Sequence, residues 1–290
     1  MGTRWSARII DPPPESEALI EAVLARVIAQ MSNWEPDSDI SRFNRLPLGQ
    51  WMPLPPEMMQ VVQAGLELAR LSDGAFDPAI RHMVDAWGFG PVPGDLSCAD
   101  PQPVPPWQGI EIEGSQALRV ADVMLDLSGI AKGFAVDAVA QSLSTAGAAN
   151  FMIEIGGELR GHGIKPDMQP WWVDVEAPPG VDVPVLRVAL CGLSVATSGD
   201  YRRFHMQDGI RLSHSIDPAR GVPIANDVAA VTVLHESAML ADAWATAITV
   251  MGHDRGMALA TRHGLAARLV RRGETRPNEY MTPALAAMLD

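Results

Sequence analysis

Leu125-Asp126-Leu127-Ser128-Gly129-Ile130-Ala131-Lys132-Gly133-Phe134-Ala135-Val136-Asp137 sets an acid, a lysine and several small residues in what reads as one strand-to-helix junction. Phe134, Val139 and Leu143 recur at helical spacing and carry the helix over residues 130–145. A helix start built from small residues presents backbone N–H groups, and Lys132 adds a cation, which together suit a phosphate. The spacing is neither a Walker A loop nor a G-x-G-x-x-G turn.

Outward from the junction, apolar runs at Phe151–Ile155, Trp171–Val175, 185–189, 229–234 and 266–270 read as strands. Helices are expected over Ala238–Met251 and from Pro283. Upstream, residues 5–10 read as a strand ended by three prolines. Residues 15–31 read as an amphipathic helix with Ile20, Val23, Leu24, Val27, Ile28 and Met31 on one stripe. Residues 33–44 are polar and contain a proline, and read as a loop. Pro55 or Pro56 opens a helix to Leu71, closed by Ser72-Asp73-Gly74. Residues 110–126 suggest a strand pair turning at Gly114-Ser115. Many hairpin-linked strands among fewer helices predict an α+β fold with mixed or antiparallel sheets and packed helices. One domain over residues 1–290 is expected, with a proline-rich, exposed insertion at 91–107.

The 290 residues carry a net charge of -13 and are 47% hydrophobic, an ordinary globular composition. The acidic balance argues against nucleic-acid binding, which needs a basic footprint. An anionic substrate must then be held by local cations or a metal. No apolar run is long enough for a transmembrane helix, and no signal peptide is visible. Cys98 and Cys191, far apart and in no C-x-x-C, read as reduced core thiols, with a disulfide as the alternative.

Asp242 and Thr246, four residues apart on one helical face, offer two hard oxygen ligands to a small cation such as Mg²⁺. The bland alternative is a helix-start acid with a threonine bonded back to its own helix. Lys132 is either aimed at a diphosphate or a solvated helix-start lysine. Gly74-Ala75-Phe76-Asp77-Pro78 is either a ring-binding turn or a plain turn with Phe76 in the core. Trp34 can stack on a flat heterocycle or fill the core. His214, in His214-Ser215-Ile216-Asp217-Pro218, is either a general base or a loop histidine bonded to Asp217. The stretch 197–201 reads as a tight turn with hydroxyls for phosphate. Gly156-Gly157-Glu158 marks a strand end with close backbone approach.

Taken in order, these motifs resemble the ApbE family of FAD:protein FMN transferases. Met1-Gly2-Thr3, Pro36-Asp37-Ser38 through Asn44, Gly74 to Pro78 and Trp87-Gly88-Phe89-Gly90 resemble its N-terminal half. Asp126 to Asp137, Ile155 to Glu158, Thr197 to Tyr201, His214 to Gly221 and Ala241 to Thr246 resemble the rest. The fold this implies is the T-fold-like flavin-transferase unit. Ser128 stands where glycine is usual, Trp34 where tyrosine is common, and Ala219-Arg220 replaces a basic residue followed by threonine.

The resemblance implies Mg²⁺-dependent transfer of FMN from FAD to a Ser or Thr of an acceptor flavoprotein, releasing AMP. It implies metal ligation by Asp242 and Thr246 side chains and the Gly129 carbonyl. It implies FAD contacts from Met1, Trp34, Ala75, Phe76, Asp77, Asp126, Lys132 and Ile216, with His214 as the base. The rival readings are a FAD pyrophosphatase and a protein that only binds FAD. The expected location is cytoplasmic as the sequence stands, and periplasmic if an export signal precedes it.

Overall fold

The helix expected over residues 15–31 forms over Ser16–Met31, with Ile20, Val23, Leu24, Val27 and Met31 buried on one stripe. The structure is a computed structural model and describes residues 3–92, 94, 96, 106–201, 203–207, 209–273 and 279–289. In chain order it runs β1 (Trp5–Ile9), α1 (Ser16–Met31), α2 (Asp39–Asn44), β2 (Met52–Pro53), α3 (Pro56–Leu71), α4 (Arg81–Ala86), β3 (Ile110–Glu113) and β4 (Gln116–Arg119). Then come α5 (Ala131–Thr145), β5 (Phe151–Ile155), β6 (Glu158–His162), β7 (Trp171–Val175), β8 (Leu186–Leu190) and β9 (Ser194–Gly199). Four short strands follow: β10 (Phe204–Gln207), β11 (Ile210–Ser213), β12 (Ile216–Asp217) and β13 (Val222–Pro223). The chain ends with β14 (Val228–His235), α6 (Ala238–Met251), α7 (His253–Arg262), β15 (Ala266–Arg271), β16 (Glu279–Met281) and α8 (Pro283–Leu289). The expected α+β class holds, and the paired strands are antiparallel.

The chain divides into two compact units, each assembled from separated segments. The first is built from Arg26–Ala131 and Arg203–Ala225, and the second from Gly2–Ala25, Lys132–Arg202 and Asn226–Asp290. The second unit holds a seven-stranded sheet in the order β1-β5-β6-β9-β14-β15-β16. Seven of the eight β14 residues are buried, giving an unbroken apolar run rather than an alternating one. The cause is cover on both faces. Helix α6 packs on β9 and β14, while the β7–β8 hairpin and α8 join Val195, Leu234 and Ala266 in a separate apolar cluster. The first unit holds α3, the three-stranded sheet β2-β4-β3 and two ribbons, β10–β11 and β12–β13.

Several expectations are corrected. Residues 125–127 form no strand; the approach to α5 makes only a single bridge, between Ile80 and Met124. The expected loop at 33–44 ends in helix α2, because the Ser38 hydroxyl accepts the Ser41 N–H and Ile40 and Phe43 are fully buried. The expected turn at 197–201 is largely β9, paired with β14. Cys191 is exposed, not a core thiol, and Cys98 lies outside the described residues. Most of the 91–107 insertion also lies outside them; its end forms a 3₁₀ turn over Pro106–Gly109. Among the described residues, no helix is long and apolar enough to cross a membrane.

Candidate active site

In the second unit three elements converge on one buried cluster. Gly156 and Gly157, at φ +66° and +105°, make the two-residue turn between β5 and β6. That turn puts Glu158 at the start of β6. Lys132 lies in the first turn of α5, and Asp242 follows the start of α6, where Ser237 caps the helix by accepting the Leu240 N–H. Lys132 Nζ donates to Glu158 Oε1 at 2.5 Å and lies 3.4 and 3.5 Å from the two Asp242 oxygens. The Gly133 N–H donates to Asp242 Oδ2 at 3.1 Å.

The anion held at the start of α5 is therefore the protein's own carboxylate. The free N–H cradle expected at residues 125–133 is not present as such. Ser128 N–H goes to Asp126 Oδ1, and the N–H groups of Ile130 and Ala131 go to the Leu127 carbonyl. Lys132 is likewise no simple solvated lysine.

The cluster carries one cation against two acids. Burial by itself would lower the Lys132 pKa, but the charges of Asp242 and Glu158 outweigh it and hold it above the ordinary lysine value. Burial pushes the Glu158 carboxyl up; Lys132 opposes this, and the charge of Asp242 adds to it. The cost of the second negative charge thus falls on Glu158, whose carboxyl holds its proton more readily than usual and whose Oε2 is buried without a hydrogen-bond partner. Glu158 is the member of this site that sequence reading missed.

Thr246, one helical turn beyond Asp242, has its hydroxyl 3.0 Å from that of Ser198 on β9. The hydroxyls of Thr197 and Thr232 pair in the same way at 2.9 Å. No group of three or more His, Cys, Asp or Glu gathers as a metal cluster among the described residues. The donor chemistry nonetheless fits a hard cation. Asp242 receives only long contacts from Lys132, Thr246 keeps acceptor capacity after one hydroxyl bond, and the surroundings carry excess negative charge. Gly129, the third implied ligand, lies in the first unit.

In the first unit the junction loop is gripped by the side chain of Asn44, the last residue of α2. The Asn44 amide accepts the Leu125 N–H at 2.7 Å and donates to the Leu125 carbonyl at 2.9 Å. Asn33 donates to the same carbonyl at 3.3 Å, and the Asp126 N–H reaches the Pro78 carbonyl at 2.7 Å. Trp34, Asp126 and the turn at Ala75–Asp77 are thereby gathered at one loop. Trp34 is 58% exposed, which favours stacking over a core role. Phe76 and Asp77 are turned inward. The Asp77 carboxylate accepts the Ala79 and Trp107 N–H groups at 2.8 and 3.0 Å, and burial pushes its pKa up to about 7. The N–H groups of Ala75 and Phe76 are given to Ser72. Met1 lies outside the described residues.

His214 and Ile216 belong to a second assembly in this unit. Ile216 is buried with Met83 and Phe89, and Trp87 Nε1 donates to the Gly221 carbonyl at 2.8 Å. His214 Nδ1 lies 3.1 Å from the Arg203 carbonyl, and its ring meets Phe89 edge-on at 6.3 Å. The expected alternative, a bond from His214 to Asp217, is replaced by this one; Asp217 Oδ1 accepts the Ala219 N–H instead.

The ApbE family profile matches residues 1–269. A FAD:protein FMN transferase of Vibrio cholerae is 36% identical over 100% of this chain and 90% of its own length. The FAD:protein FMN transferase of Escherichia coli (strain K12) is 31% identical over 100% and 87%. Among solved structures, the apo form of the Pseudomonas stutzeri flavinyl transferase ApbE superposes with a TM-score of 0.89 at 36% identity, covering 99% of this chain and 94% of that one. The flavin transferase ApbE from Vibrio cholerae gives 0.87 at 34% identity, over 99% and 96%. Matched along nearly its whole length by that profile and by named transferases, the chain belongs to the ApbE family of transferase enzymes.

Proposed function

We propose that this protein moves FMN from FAD onto a serine or threonine hydroxyl of an acceptor flavoprotein, releasing AMP, with Mg²⁺ held by Asp242 and Thr246. The observation that carries the reading is the buried cluster of Lys132, Glu158 and Asp242. Its excess negative charge favours a divalent cation, and a chain of net charge -13 needs one to receive a diphosphate. Bound there, Mg²⁺ would neutralise diphosphate charge and polarise the phosphoryl group.

The side chain of Lys132 is 30% exposed, and its ammonium, held by Glu158 and Asp242, has a third donor to give the diphosphate. Trp34 stacks on a flat ring of FAD. Asp126 and the Ala75–Asp77 turn border the ligand, Phe76, Asp77 and Ile216 chiefly by shaping the backbone that carries the contacts. His214 donates its Nδ1 proton to the Arg203 carbonyl, which makes Nε2 the basic nitrogen. Nε2 takes the acceptor hydroxyl's proton as that oxygen attacks the FMN-side phosphorus. The bond from that phosphorus to the AMP oxygen breaks, and AMP leaves.

The test is mass spectrometry of a candidate acceptor incubated with the protein, FAD and Mg²⁺, with AMP measured in parallel. The expected result is one FMN ester on a serine or threonine for each AMP released. Steady AMP with no adduct on any acceptor would make the protein a FAD hydrolase. FAD binding with no AMP would reduce it to a flavin carrier.

A further inference from the structure

Asp137 lies one turn after Gly133 on α5, and its carboxylate has four donors. Oδ1 accepts from Arg160 Nη1 at 2.8 Å and from the Ala238 N–H at 3.0 Å. Oδ2 accepts from the Ser237 hydroxyl at 2.7 Å and from the Met239 N–H at 3.0 Å. A carboxylate has about four acceptor positions, so this one is fully used. Helix α6 already owns a cap in Ser237, which takes the Leu240 N–H at 3.3 Å. What an acid from a different helix adds is the register of α6 against α5.

Two neighbours tighten the same joint. Gly133 sits so close to α6 that a Cβ there would lie 2.2 Å from the Ala238 carbonyl oxygen. Arg160, two residues after Glu158 and on the same face of β6, also donates to the Glu236 carbonyl and, at 3.3 Å, to the Ser194 hydroxyl. The pattern repeats the active cluster one layer away. Lys132 and Asp137 come from α5, Glu158 and Arg160 from β6, Asp242 and the Asp137-bound N–H groups from α6.

We infer that Asp137, braced by Arg160, is a positioning residue that holds α5, β6 and α6 in the register at which Asp242 and Thr246 take a cation. The inference rests on the metal reading above. Asp137 itself touches no reacting atom. Asparagine cannot replace it, because one acceptor oxygen becomes an amide facing donors.

The experiment is titration of the full chain, without FAD, with Mn²⁺ followed by the electron paramagnetic resonance of the free ion. Asp137→Asn should raise the Mn²⁺ dissociation constant by about 10- to 100-fold, the scale of a lost outer-shell partner. Arg160→Met should raise it in the same direction. Leu285→Ala, a core truncation on the buried face of α8, supplies a destabilised control that should bind Mn²⁺ as the parent does. Asp242→Asn should lose binding. If Asp137→Asn binds like the parent while Asp242→Asn does not, this inference alone is overturned. A parent chain that takes up no Mn²⁺ overturns the metal reading with it. Equal weakening by Leu285→Ala would reduce Asp137 to general stability and overturn the inference too. Should Asp137→Asn not fold by circular dichroism, Arg160→Met decides the matter on the same criterion.

Discussion

Asp77 and Asp242 are both buried acids in short motifs, at 5% and 3% exposure, yet their surroundings differ in kind. Asp77 is closed by backbone N–H groups of its own unit, one of them only two residues away. Asp242 meets an ammonium and an N–H from a helix more than a hundred residues upstream, beside a second acid. A buried carboxylate satisfied by its own turn is an architectural device. One satisfied by a remote cation, in a cluster whose charges do not cancel, is prepared for a further ligand.

The contrast can be broken most directly at Asp242. Asp242→Ala should abolish turnover with the fold intact by circular dichroism, and full activity at limiting Mg²⁺ would remove the metal assignment. The next largest effect is expected from His214→Ala, lowering FMN transfer by about 10²- to 10⁴-fold, the range of a lost general base. FAD affinity should stay nearly constant, and the acid limb of the pH–rate profile should vanish. Equal adduct formation by parent and variant would sink the base assignment.

Lys132→Ala should weaken FAD by roughly ten- to a hundredfold in a fluorescence titration, the loss of a charge-assisted bond of about 1.5–3 kcal/mol. It also leaves Glu158 and Asp242 without their shared cation, so its melting temperature should fall more at high pH than at low pH. Unchanged affinity would take Lys132 out of the site.

Asp77→Asn sharpens the comparison from the other side, because turnover should barely change. Its signature lies in the pH dependence of stability. The folded Asp77 pKa is raised from 3.8 to about 7, so between those values the folded chain keeps a proton that the unfolded chain has lost. That contribution is fully present below the unfolded value and is lost as pH rises through the folded one, so the parent's melting temperature should fall between about pH 4 and about pH 7. The variant should show a flatter profile, offset by about 1 kcal/mol for the lost bond to the Trp107 N–H. A turnover loss like that of Asp242→Ala would erase the distinction between the two acids.

The legible parts of the chain were those whose signal is local. The helices α1, α3, α5, α6 and α8 announce themselves by apolar period, a proline start or a cap, and the strands β5 and β7 by compact apolar runs. Helices α2 and α4 are six residues long, too short to show a period, whereas α7 is amphipathic and its period went unread. The metal pair on α6 was legible because both residues lie on one helix. Glu158 was legible only in part. The Gly156-Gly157 pair signals a two-residue hairpin, but nothing local says that the next residue meets Lys132. At the start of α5 the Gly133 N–H was misread for the same reason: the carboxylate that claims it lies 109 residues later.

The interleaving of the two units has a consequence during synthesis. Strand β9 pairs on one side with β6 and on the other with β14, which begins about thirty residues later in the chain, after the whole second segment of the first unit. Until residues 228–235 leave the ribosome, β9 is a sheet edge with its outer row of backbone groups unpaired, a template for other nascent chains. A transcript truncated within the β10–β13 segment would leave that edge permanently open. Yield of soluble chain should therefore rise abruptly once β14 is included, rather than gradually with length.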